Sequence, residues 1–567
     1  MGTSSTKSGH KKSKTRAKNR EFEIPGSPAE VASTDNFSDR AWLVCVIVIL
    51  AVASVLRLYD LNLVPLHHDE GVNGNFLVRL VREGTYQYDP ENYHGPTLYY
   101  FSAIIPWITK LLFGSAAREN YGLTTFTIRL VPAIFGVATI GLVFLLRRKL
   151  GSVGTLAAGL MLAVSPGAVY LSRYFIHETL FVFFTLGIVV AAVWFYEERN
   201  PSYLIPGAAC AALLFATKET AMISVGVLII ALVVALIYIP LYRSMFGPTM
   251  ARRNRASGGL STLVSEMGGR TTVIGTIVIS LIVFQVIYLL FYSSFLLNYK
   301  GIYDSLQTFA VWTKTGRVAH VHPPYKYILW LYWQEAPLLF LGAIGAAIVV
   351  LRGKPFFALF SALWAFGLIA AYSLIPYKTP WLVLNFVVPL ALIAGYSLQA
   401  IYELDKGQLR LVSIVLLIAI SFATYQSIDL NFVNYDNDKQ EYVYVYAHTK
   451  RGTLDLVKEI DRIAKEQTGP LTGITIVSPD YWPLPWYLRN YTRVGYFGRM
   501  AASTEPIIIA NENQKPEIDA NFGEFYQEVP SKEANGTFEL RPGVNLLLYV
   551  RRSGFTPTTN PPSTSNP

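Results

Sequence analysis

Residues 222–240 read MISVGVLIIALVVALIYIP, a run without a single charged side chain. A helix rises 1.5 Å per residue, so crossing a hydrocarbon core of roughly 30 Å takes about 20 apolar residues. This stretch therefore has the length and apolarity of a membrane span, and residues 42–56 and 180–196 share its character. Across all 567 residues, 52% are hydrophobic and 15% charged, against roughly 25% charged in a soluble chain. That composition excludes intrinsic disorder and argues against a soluble multidomain enzyme. The chain reads as an all-α polytopic membrane protein.

Apolar runs mark about eleven transmembrane helices, at 41–58, 125–147, 153–171, 178–196, 203–217, 220–241, 272–296, 327–350, 355–375, 381–401 and 409–427. Lys and Arg in short loops set the orientation, because basic residues stay cytoplasmic. Of the net charge of +10, +7 lies in residues 1–20, which read as a basic, disordered cytoplasmic tail (1–40) rather than a nucleic-acid arm. Arg147-Arg148-Lys149, Arg252-Arg253-Arg255, Arg352 with Lys354, and the 403–410 loop all fall on that same side. The count places the N-terminus in the cytoplasm and residues 428–551 outside it, as a small extracytoplasmic α/β domain beyond the transmembrane domain 41–427. In that domain 449–467 reads as an amphipathic helix, 474–477 and 546–550 as short strands, and 552–567 as a structureless tail. Cys45 and Cys210 both lie in apolar runs, so neither a disulfide framework nor a cysteine metal site is on offer.

Sidedness sorts the remaining polar residues. The external face holds His67-His68-Asp69-Glu70, His94-Gly95-Pro96, the 173–178 stretch, Lys218-Glu219, His320, His322 and Tyr377-Lys378. The external loop 59–124 carries two expected surface helices, 71–83 and 97–113, with Tyr99, Tyr100, Phe101 and Trp107 suited to a membrane interface. Asp69-Glu70 suits either helix capping or acid–base chemistry. Residues 203–217 make only about 22 Å of helix, so Lys218-Glu219 sits recessed. A charge at that depth needs a polar cavity or a partner, the simplest being a mutual ion pair. Arg173 and Lys378 are span-end cations that either snorkel or bind an anion. Together with an acidic pair, three cations on one face suit a phosphate-bearing, lipid-anchored substrate. His320 and His322 suit solvated loop residues, or ligands of a divalent metal with Asp69 or Glu70. In the C-terminal domain, Tyr481, Trp482, Trp486 and Tyr487 suit stacking on sugar rings or resting on the bilayer.

The acidic pair after the first span, the helix led by His94-Gly-Pro-Thr-Leu-Tyr-Tyr100, and Thr127-Ile-Arg129-Leu-Val-Pro132 together resemble the GT-C glycosyltransferases. The pattern is most similar to the dolichyl-phosphate-mannose–protein mannosyltransferase and lipid A aminoarabinose transferase group. Within it, Leu66-His-His-Asp-Glu-Gly71, His94-Gly-Pro96 and Ala216-Thr-Lys-Glu-Thr220 resemble the flippase-activity-associated proteins of archaeal N-glycosylation and their bacterial relatives. The resemblance covers 41–427. It implies an inverting transfer from a polyprenyl-phosphate sugar to an extracytoplasmic acceptor (protein, lipid or glycan), at the plasma membrane. Asp69 is then the general base and Glu70 its partner or a metal ligand. Arg173, Lys218 and Lys378 then hold the phosphate, with Glu219, Tyr377 and His94 as further substrate contacts. The alternative is a non-catalytic accessory role assisting lipid-linked sugars. The partners implied are the donor, the acceptor and the bilayer, with no nucleic acid.

Overall fold

The computed structural model describes residues 38–91, 94–114, 122–246, 260–315, 320–404, 408–532 and 535–552. The basic tail, the Arg252-Arg253-Arg255 loop and residues 553–567 lie outside them. Among the described residues, eight helices are long and apolar enough to cross a membrane: Asp39–Leu58, Thr125–Phe144, Glu178–Glu198, Ala221–Phe246, Gly269–Tyr292, Phe356–Leu374, Pro380–Leu404 and Leu409–Val433. Two further expected spans are broken. Ser152–Val164 and Pro166–Ser172 meet at 58°, and Lys326–Gln334 and Ala336–Arg352 at 113°, which brings the count to ten if each pair is one span. The eleventh, Pro201–Phe215, is shorter than a span.

Both breaks have local causes, and they are joined. Ser165 caps the helix Pro166–Ser172, and Pro166 starts it. A proline is well placed in a helix's first turn and disruptive in its interior. Glu335 sits at the other break, fully buried. Its carboxylate accepts from Ser165 Oγ (2.9 and 3.0 Å) and the Gly167 N–H (2.8 Å), with Tyr444 OH at 3.5 Å.

The centre of the bundle is Pro380–Leu404, whose span is 94% buried, while Gly269–Tyr292 is only 6% buried and shows Ile274, Val278, Leu281 and Ile282 to the surroundings. Tight crossings use glycine. A Cβ on Gly345 would stand 2.2 Å from Ile393 O, and one on Gly395 2.2 Å from Gly154 O. Membrane helices associate through such close backbone approach, because lipid supplies no hydrophobic drive between them.

The loop after the first span forms two helices, His68–Glu83 and Thr97–Phe113. Tyr99 and Tyr100, expected at a membrane interface, are instead buried. Their hydroxyls donate to Asn73 Oδ1 and Ser294 Oγ, both at 2.9 Å. The exposed apolar stripe of Thr97–Phe113 is Ile104, Trp107, Ile108 and Leu111, at helical spacing.

The C-terminal domain carries one sheet: β1 (Ile474–Ile476), β2 (Val494–Tyr496), β3 (Ile507–Asn511), β4 (Tyr526–Val529), β5 (Phe538–Arg541) and β6 (Val544–Arg551), in the order β2-β1-β3-β6-β4. Strands β1, β2 and β3 are parallel; β6 runs antiparallel to β3 and to both β4 and β5. Alternate residues face opposite sides of a strand. Ile507 and Ile509 accordingly pack with Leu456 and Ile460 of the helix Gly452–Lys465, while Ile508 and Ala510 pack with Ile518 of Lys515–Phe522.

This domain docks on the first-loop helix through 482–490. A Cβ on Gly71 would lie 2.5 Å from Pro483 Cβ, and one on Gly74 2.6 Å from the Trp486 ring. The Leu66 N–H donates to Tyr487 OH (2.8 Å), and Arg82 donates to Arg489 O (2.6 Å) and Asn490 Oδ1 (3.0 Å). Trp486, at 1% exposure, and the hydrogen-bonded Tyr487 are thus docking contacts, not sugar platforms or bilayer anchors. Gly71→Ala forces the Pro483 backbone away, and overpacking of this kind costs about 1–3 kcal/mol. A lowered melting temperature and faster proteolytic release of the C-terminal domain are the expected results.

Candidate active site

Helix His68–Glu83 starts with a capping box: His67 Nδ1 accepts from the Asp69 N–H (3.1 Å), and Glu70 Oε2 accepts from the His67 N–H (3.0 Å). Since Nδ1 accepts, the proton of His67 sits on Nε2, which donates to Tyr446 O (2.9 Å). This network separates the two acids. Glu70 is fully buried and also accepts from Arg129 Nε (2.7 Å), Arg129 Nη2 (2.6 Å) and the Phe175 N–H (2.7 Å). Arg129 in turn donates to the carbonyls of Leu61 (2.8 Å), Val64 (2.8 Å) and Pro65 (3.3 Å). Expected beside the base, Glu70 instead points away from open space and ties the loop to the helix Thr125–Phe144. Asp69 keeps a side chain 40% exposed.

Asp69 borders a cavity of about 400 Å³ lined also by His68, His94, His177, Glu178, Lys218, Glu219, His320, Tyr377, Trp381, Tyr446 and Arg541. Two motifs far apart in the chain build one wall. The Gly95 N–H donates to Thr217 O (3.0 Å), the Thr97 N–H to Ala216 O (3.1 Å), and Thr97 Oγ1 to Thr217 Oγ1 (2.7 Å). A Cβ on Gly95 would lie 2.1 Å from Ala216 O, so the close approach requires glycine here. Gly95→Ala therefore displaces His94 from Glu219. A stability loss of about 1–3 kcal/mol is expected, read by thermal shift of the solubilised protein.

Lys218 and Glu219 are not paired with each other. The Lys218 ammonium contacts Glu178, both side chains being almost fully buried, while Glu219 Oε2 meets His94 Nδ1 at 3.2 Å. His177 is buried between them; its Nε2–H donates to Gly95 O (3.0 Å), and Nδ1 has no protein partner among the described residues. Burial, reinforced by His94 and Lys218, pushes the His177 pKa well below the usual imidazole range. It is a neutral acceptor at the cavity wall.

Two expected phosphate ligands are elsewhere. Arg173 donates to the carbonyls of Tyr59 (2.5 Å), Asp60 (2.8 Å) and Leu56 (3.3 Å) and lies 4.6 Å from the Phe432 ring centre. It caps the C-terminal end of Asp39–Leu58, where a cation complements the helix dipole. Lys378 is buried, donating to Ile375 O (2.5 Å) within its own turn. Neither lines the cavity, although Tyr377 does. The candidate metal set does not assemble either. His320 accompanies Asp69 in the lining, with Nδ1 3.0 Å from Tyr446 OH, but His322 packs on Trp330 (5.7 Å). Among the described residues no three His, Cys, Asp or Glu groups converge to hold a metal ion.

Sequence reading missed Glu178 as the partner of Lys218, and Arg541. Arg541 reaches the cavity from β5, paired with Asp480 and with Nη1 3.3 Å from His68 Nδ1. Burial is the main cause holding the His68 pKa below its ordinary value; His67 and Arg541 add to it, and Asp69 opposes it.

Residues 102–252 match the family model described as dolichyl-phosphate-mannose-protein mannosyltransferase. No curated protein matches the chain. Among solved structures, ArnT from Cupriavidus metallidurans in the apo state is similar at 13% identity and TM-score 0.57, over 90% of this chain and 98% of that one. The same protein bound to undecaprenyl phosphate gives 13% and 0.58 over the same shares. The Archaeoglobus fulgidus oligosaccharyltransferase tethered with an acceptor peptide gives 12% and 0.48, over 89% of this chain and 74% of that one. The chain shares the overall fold of ArnT, with several apolar spans and a small C-terminal sheet domain.

Proposed function

We propose that this chain moves a sugar from a polyprenyl-phosphate donor to an extracytoplasmic acceptor, with inversion at the anomeric carbon. Asp69 is the general base. It takes the proton of the acceptor's nucleophile as that atom bonds to the anomeric carbon, while the bond from that carbon to the phosphate oxygen breaks and polyprenyl phosphate leaves. The observation that carries this reading is that Asp69, half-exposed, shares one cavity with Lys218, Glu219, His94 and Tyr377. An accessory role has no use for an acid so held. Support for the donor class comes from the dolichyl-phosphate-mannose family match and from the ArnT structure that holds undecaprenyl phosphate. The basic loops support a cytoplasmic N-terminus and a C-terminal domain outside the plasma membrane. Membranes carrying the wild-type chain or Asp69→Asn, incubated with labelled polyprenyl-phosphate sugars, test it. Transfer by the wild type alone is expected; equal transfer by both overturns the assignment of the base.

A further inference from the structure

The membrane domain offers an anion very little in this cavity. Among the described residues, Asp69, Glu91, Glu178 and Glu219 line it against one membrane-domain cation, Lys218, and Lys218 is already closed on Glu178 in a buried pair. Breaking such a pair strands a charge away from water. The other cation that the described residues bring to the lining is Arg541, which the C-terminal domain supplies.

The fold aims Arg541 there. Phe538 and Leu540 of β5 point into the domain core, and Arg541 alternates with them onto the opposite face. The chain then turns at once through Gly543, whose φ of 77° suits glycine. Arg541 contacts Asp480 and His68 Nδ1, and a guanidinium has five N–H donors, so capacity is left over. Its partner Asp480 is 39% exposed. Water can take over that carboxylate when the pair opens, which is not so for Glu178 at 4%. Arg541 is thus the cation whose partner can be exchanged at little cost, and its planar fork fits two phosphate oxygens at once.

We propose that Arg541 is the anion-binding residue of the cavity, exchanging Asp480 for a phosphate group held beside His68 and Asp69. The phosphate is that of a lipid headgroup or a free phosphate; assigning it to the donor rests on the transferase reading above.

The test uses the full chain in nanodiscs, with undecaprenyl phosphate and inorganic phosphate as separate probes. Arg541→Gln should weaken undecaprenyl phosphate binding at least tenfold, Arg541→Lys should recover part of the loss, and Asp480→Asn should bind as well as the wild type or more tightly. If the Arg541–Asp480 pair only braced the domain, Asp480→Asn would lose binding as Arg541→Gln does, and that result overturns the proposal. Unchanged binding by Arg541→Gln overturns it as well. Competition by inorganic phosphate identifies phosphate alone as sufficient, and lack of competition identifies the lipid headgroup. If the wild type binds inorganic phosphate through Arg541 but no undecaprenyl phosphate, Arg541 keeps its role and the donor assignment falls. If the wild type binds neither probe, both fall.

Discussion

Asp69→Asn is expected to lower turnover by about 10²–10⁴-fold, the contribution of a positioned general base, with the fold intact. The two halves of this expectation have separate causes. An amide has nearly the shape of the carboxylate but takes no proton at neutral pH, so the loss falls on kcat. The cap of helix His68–Glu83 does not depend on the Asp69 side chain, because His67 and Glu70 make it. The Asp69 N–H still reaches His67 Nδ1. Stability should therefore change by no more than about 0.5 kcal/mol, as for an ordinary exposed site. Single-turnover transfer from a labelled donor, with thermal shift as control, reads both. An unchanged kcat removes Asp69 from the chemistry.

Glu70→Ala should act in the opposite sense, destroying the fold before the chemistry. It leaves the Arg129 guanidinium, 2% exposed, without its carboxylate, and breaking one partner of a buried pair costs about 3–5 kcal/mol. The Phe175 and His67 N–H groups lose their acceptor too. Low yield and an early melting transition in detergent are the expected readouts. Adding Arg129→Leu should restore only part of the loss, since the carbonyls of Leu61, Val64 and Pro65 would then lack a donor. A Glu70→Ala protein as stable as wild type, yet inactive, would return Glu70 to the reaction.

The same pair shows what a sequence carries. Neighbouring acids after a span mark the loop as special, and Asp69 and Glu70 read alike there. Their fates diverge because a helix turns by about 100° per residue, sending one to Arg129 and the other to the cavity. Hydropathy found the bundle because burial in lipid demands long apolar runs. It missed the breaks at Ser165 and Glu335, since one polar residue barely lowers the average over a span. The local signals were there: Ser165-Pro166, an N-cap followed by a first-turn proline, and an acid two residues before Pro337. Arg173 and Lys378 sit at span ends as expected of anion ligands, but backbone carbonyls claimed them first. Arg541 had no local signal. Only the docking of the C-terminal domain brings it to the site.

That docking also sets a clock on synthesis. Arg541 meets His68 across 473 residues of sequence, and a chain growing at about 5–20 residues/s needs roughly 25–95 s to cover that interval. For that time the glycine face of the first loop, Gly71 and Gly74, stays uncovered. A nascent or truncated chain inserts its spans without closing the cavity. The part of the cavity wall that Arg541 supplies forms only after the C-terminal domain has been made.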